Sequence, residues 1–172
     1  MSGNPALDLR YRRTVRFLGE TLPAPARILD LGTPNPLSHI LKLQGYDVQS
    51  TQGDLNDETS VVQGREVDAV TAFEILEHLV APLNVLRAID APRLFATIPL
   101  RLWFATAYRN PDDEWDRHYH EFEDWQFDWL LKKAQWRIVR KEKWTSPSHE
   151  IGLRPILRRF TPRYYAVEAV RV

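Results

Sequence analysis

The sequence predicts an α/β fold of three layers: helices on both faces of a mostly parallel sheet, with an antiparallel final strand. Three observations predict it. Apolar runs of strand length at 27–31, 46–51, 67–73 and 93–99 alternate with segments of helical period. The first run ends ILDLG (28–32) and passes through one glycine into a helix start, which is how a strand end presents backbone N–H groups to a ligand. Two more strand-like runs, 137–144 and 164–172, close the chain.

Each element has a local reason. Leu7, Tyr11, Val15, Leu18 and Leu22 share one face of a leading helix within 1–22, which Pro23 and Pro25 end. Asn35 is placed to cap a helix with Pro36 at its first position, and Gly45 to stop it. The polar stretch 57–66 reads as loop with room for a short strand at 61–62. Residues 76–89 read as one helix, with Leu79, Leu83 and Leu86 facing inward. Segment 100–121 has no clean period. Residues 123–134 read as a helix with Phe122, Trp125, Trp129 and Leu130 near one face, and 153–160 as a short one.

Composition bounds the function. At 172 residues, with 44% apolar and 27% charged side chains, the chain is expected to be one domain over 1–172. The formal net charge is zero, so no global field argues for nucleic acid. No cysteine is present, which excludes disulfides, thiolate metal sites and a Cys nucleophile. Arg10, Arg12, Arg13 and Arg16 interrupt any signal core, and no apolar run reaches the ~18 residues of a membrane span. A cytoplasmic protein without integral membrane association is expected.

Four pieces carry a resemblance. They are ILDLG (28–32), GYDV (45–48), VDAVTAFEILEHLVAPLNVLR (67–87) and HYHEFEDWQFDWLLKKAQWRI (118–138). In this order and spacing the chain resembles the class I, S-adenosylmethionine-dependent methyltransferases of the small-molecule (type 11/23-like) branch, and FEILEHL is the most specific match. The resemblance implies a Rossmann-like methyltransferase sheet, S-adenosylmethionine as cofactor and a small-molecule acceptor. It implies a cofactor site around Asp30, Gly32, Thr33, Asp54, Leu55, Phe73 and Glu74. Chemically, a sulfonium with an amino-acid tail and an adenosine needs carboxylates, backbone amides and apolar walls. Asp30 and the 33–36 turn suit the first two, and Asp54, Leu55 and Phe73 suit a ribose and an adenine. A turn cap is the alternative role for Asp30, and an Asx-turn that for Asp54.

The sequence departs from the family at three points. The glycine-rich loop keeps only Gly32, and Pro34 and Pro36 have no N–H. The strand-two acid is replaced by Thr51 or Gln52, and the family's third strand is short or missing. A methyltransferase-fold binding protein that has lost catalysis is therefore the competing expectation. His78, His118 and His120 are the candidate general bases, each with a plain packing role as alternative. A metal on His118 and His120 would need Asp116 or Glu121 as a third ligand, and no metal site is expected. Trp103, Phe104 and Tyr108 are placed to form an aromatic substrate lid within 100–121, or a packed patch. Asp112, Asp113, Glu114 and Asp116 read as a solvated acidic run.

Overall fold

A computed structural model describes residues 5–146 and 152–172; the first four residues of the leading segment lie outside the described residues. The elements run α1 (Pro5–Gly19), β1 (Arg27–Asp30), α2 (Pro36–Leu43), β2 (Asp47–Ser50), β3 (Ala69–Phe73), α3 (Pro82–Ala88), β4 (Arg93–Pro99), α4 (Asp124–Lys133), β5 (Trp136–Thr145), α5 (Leu153–Phe160) and β6 (Pro162–Arg171). The six strands form one sheet in the order β2-β1-β3-β4-β6-β5. The β1–β2, β1–β3 and β3–β4 pairs are parallel, and β6 runs antiparallel to both β4 and β5.

Strand alternation sends side chains to two cores. Ile28 and Phe95 pack with Phe17, Leu18 and Leu41, so α1 and α2 cover one face. Leu29 and Leu94 pack with Leu86, Phe127, Leu131 and Trp136, so α3 and α4 cover the other. The Trp136 indole N–H is satisfied by the Leu86 carbonyl at 2.9 Å. No helix among the described residues is long and apolar enough to cross a membrane.

Two expectations are corrected, and the buried face of α4 is defined. The 61–62 region is a 3₁₀ turn, Ser60–Val62, so among the described residues no third strand lies beyond β2, which is the outermost strand on that side. The single helix over 76–89 is split into a 3₁₀ turn, Leu76–His78, and α3. Pro82 causes the break, because it keeps Ala81 out of the helical region (φ −131°, ψ 69°). In α4 the core is reached by Phe127 and Leu131, while Trp125 and Trp129 are more than half exposed. Positions four apart share a helix face, and the face led by Phe127, not by Trp125, meets the sheet.

Candidate functional site at the carboxyl ends of the parallel strands

The turn after β1 is built around Asp30 and Gly32. Asp30 is buried; Oδ1 accepts from the Thr71 hydroxyl at 2.6 Å and Oδ2 from the Asn35 amide at 3.3 Å. Burial pushes its carboxyl up to about 6, against the two hydrogen bonds. Gly32 has φ +97°, and a Cβ there would lie 2.7 Å from Ile75 Cδ1. The positive φ favours glycine, and a Cβ would also oblige the end of the Ile75 side chain to move.

The turn's donors are largely committed. Gly32 N–H donates to Thr51 Oγ1 at 2.7 Å and Asn35 N–H to Ser38 Oγ at 3.0 Å. The amides of Leu37 and Ser38 donate to Asn35 Oδ1, which caps α2. Pro34 and Pro36 have none to give. Among the described residues, the Thr33 N–H alone in this turn has no partner. Thr51, where the family places an acid, is buried and serves as the acceptor that holds Gly32.

A cleft of about 740 Å³ opens beside the turn. It is lined by Gly32, Thr33, Asp54, Leu55, Ile75 and Leu79, and by His78, Asp113, Trp115 and Asp116. Asp54 Oδ1 accepts from the Asn56 backbone and side chain, both at 2.9 Å, in an Asx-turn; Oδ2 has no partner among the described residues. Asn56 Oδ1 in turn accepts from Val80 N–H at 2.7 Å, tying the 53–56 loop to the segment after the 3₁₀ turn. A second depression of similar volume, between α1 and α2, holds none of the strand-end residues.

Phe73 and Glu74 are not part of this cleft. They line a separate cavity of about 200 Å³ with Arg10, Thr14, Asn35 and Thr97. Glu74 adopts φ +55° and pairs with Arg10 at 3.3 Å. Burial raises its carboxyl. Glu77, three residues on and 1% exposed, is raised well above the carboxylate range by burial and by the neighbouring Glu74 charge.

Segment 100–121 runs back to the cleft, which Asp113, Trp115 and Asp116 border. Glu77 C=O accepts from the N–H groups of Tyr119 (2.9 Å) and His120 (3.2 Å). Tyr108 O–H donates to Asp116 at 2.8 Å, and Tyr108 N–H to Glu121 Oε1 at 2.9 Å. The His118 ring lies tilted against Tyr108, 5.0 Å between centroids, and meets His78 edge-on at 4.9 Å. His120 lies apart, with Nε2 3.3 Å from the Val80 carbonyl and its ring on Phe122. Trp103 and Phe104 contact each other and do not line the cleft, whereas Trp115, Asp113 and Asp116 do. Trp115 was not among the sequence candidates; Asp112, Asp113 and Glu114 are exposed, as a solvated run predicts, while Asp113 and Asp116 also border the cleft, in a segment with no period to betray it.

No family model matches the sequence, and no curated protein matches it significantly. Solved structures do match the fold. The 1,6-didemethyltoxoflavin-N1-methyltransferase of Burkholderia thailandensis, with bound 1,6-didemethyltoxoflavin and S-adenosylhomocysteine, is 20% identical (94% of this chain, 78% of that one, TM-score 0.68). A SAM-dependent methyltransferase of Archaeoglobus fulgidus is 14% identical (95% and 94%, TM-score 0.64). The [4+2]-cyclase SpnF is 13% identical (94% and 81%, TM-score 0.58). The chain has the Rossmann-like fold of the class I methyltransferases. Because that fold also carries a cyclase, the reaction must be argued from the site.

Proposed function

We propose that the protein transfers a methyl group from S-adenosylmethionine to a small-molecule acceptor. One observation carries the reading: the cleft gathers Gly32, Thr33, Asp54 and Leu55 at the ends of adjacent parallel strands. The residues fit the cofactor's parts. Thr33 N–H is the amide left for the carboxylate, the free Asp54 oxygen suits the ribose hydroxyls or the ammonium, and Leu55 and Leu79 are apolar walls. The bound cofactor would supply an electrophilic methyl group, for which positioning provides much of the acceleration. The acceptor's place in this reading is beside Trp115 and Asp116, and His78 is the histidine that lines the cleft.

A second reading, a methyltransferase-fold binding protein without turnover, is favoured by the turn's single free amide. Calorimetry separates the two. Micromolar binding of S-adenosylmethionine and of S-adenosylhomocysteine, weakened at least about tenfold in Asp54→Ala, is expected, and tenfold corresponds to about 1.4 kcal/mol. No heat with either compound at millimolar concentration overturns the cofactor reading.

A further inference from the structure

Segment 100–121 brings His118 to the adjacent pair Glu77 and His78, forty residues earlier in the sequence, and so gathers three metal-ligating side chains. Glu77, His78 and His118 each offer a donor atom, and these atoms lie within 4.8 Å of one another. Glu77 Oε1 is 3.9 Å from His78 Nε2. Donors that share an ion at ~2.1 Å are separated by roughly 3–4 Å, so the cluster closes onto an ion with shifts of about 1 Å.

Two further observations point to a ligand. Glu77 is 1% exposed, and its Oε2 has no hydrogen-bond partner among the described residues. A buried carboxylate oxygen left without a donor is costly unless a cation or proton meets it. The histidines are also set as ligands are set. His78 Nδ1 is 3.0 Å from the Arg117 carbonyl, which can only accept, so Nδ1 carries the proton and Nε2 the lone pair. His118 Nδ1 is 2.9 Å from Glu121 Oε1, which orders the second ring in the same tautomer. A carbonyl or carboxylate on the far nitrogen is the usual outer shell of a metal-bound imidazole.

We propose that Glu77, His78 and His118 form a binding site for one first-row divalent transition ion, with Arg117 O and Glu121 as its outer shell. Two imidazoles and one carboxylate suit zinc, manganese, iron or cobalt better than magnesium or calcium, which take oxygen donors. Three protein ligands leave coordination positions open. His78 lines the cleft, so those positions face the place assigned to the acceptor, where an ion would hold an acceptor oxygen. That last role rests on the methyl-transfer reading; the ion site does not.

The test uses the full chain freed of metal by chelation and titrated with Co²⁺ in the absence of any methyl donor, so that its outcome is independent of cofactor binding. One Co²⁺ per chain is expected, with visible ligand-field bands. Proton NMR of the wild-type Co²⁺ form is expected to show two paramagnetically shifted, exchangeable imidazole N–H resonances, one from each Nδ1. Affinity should fall by more than about 100-fold in His78→Ala and His118→Ala and by about 10–100-fold in Glu121→Gln, the range for an outer-shell residue. It should be unchanged in His120→Ala. No Co²⁺ binding at millimolar concentration overturns the site, as does binding without the two shifted resonances. The NMR result stands even where a variant fails to fold.

Discussion

Asp30 accepts one hydrogen bond from β3 and one from the cap of α2, so a single carboxylate fixes the turn that the cleft is built on. Its raised pKa has a signed consequence. The fold favours the neutral form, so its contribution is fully present below the ordinary 3.8 and is lost as pH rises through about 6. That gap corresponds to roughly 3 kcal/mol at most. Chemical denaturation of Asp30→Asn at stepped pH is expected to show a flatter profile between 4 and 6 than the parent chain. Gly32→Ala forces a left-handed alanine against Ile75, at a cost of about 1–3 kcal/mol, measurable as a lowered denaturation midpoint.

At the scale of elements, α2 depends on its cap. Asn35 receives the Leu37 and Ser38 amides while Ser38 returns a bond to the Asn35 amide. Asn35→Ala should cost about 1 kcal/mol of stability by denaturant titration, and it also removes a donor from Asp30. This cap and every strand of the sheet were legible in the sequence, because Asn-Pro punctuation and apolar runs are local signals. The proline break before α3 was equally local: Pro82 was there to be read, and the strong Leu79–Leu83–Leu86 period obscured it. The site was less legible. Gly32, Thr33, Asp54 and Leu55 line one cleft beside the turn that Asp30 holds, whereas Phe73 and Glu74 line a separate cavity. Neighbours in a strand point to opposite faces, yet which face carries the ligand depends on how the helices cover the sheet. The approach of His118 to His78 depends on a segment with no period at all, so no spacing rule could have shown it.

At the scale of the molecule, Glu168 in β6 ties its neighbours β4 and β5 to the segment that follows α1. It accepts from Thr21 at 2.8 Å, Arg93 at 2.5 Å and Arg140 at 3.1 Å, and is 5% exposed. Burial pushes its carboxyl up, but these donors hold it below the usual range. The sign is therefore opposite to that of Asp30: this stabilisation is present above the unfolded carboxylate range and is lost as pH falls through the folded value. Glu168→Ala leaves two guanidinium groups facing an empty position, and should lower stability by about 3 kcal/mol near neutral pH, with the difference shrinking in acid. Thermal melts at two pH values check it.

With no strand beyond it among the described residues, β2 has one row of backbone groups facing outward at the rim of the sheet. Such a rim invites a strand from another molecule, and proteins usually guard it by brevity and charge. Here β2 has four residues, only Val48 among them is buried, and Asp47 stands at its start. The guard is thin, and the chain carries no net charge at neutral pH to keep copies apart. The sheet's other rim is β5, ten residues long, whose exposed positions include Arg137, Lys141 and Lys143, so the two rims are guarded differently: one by brevity, the other by positive charge.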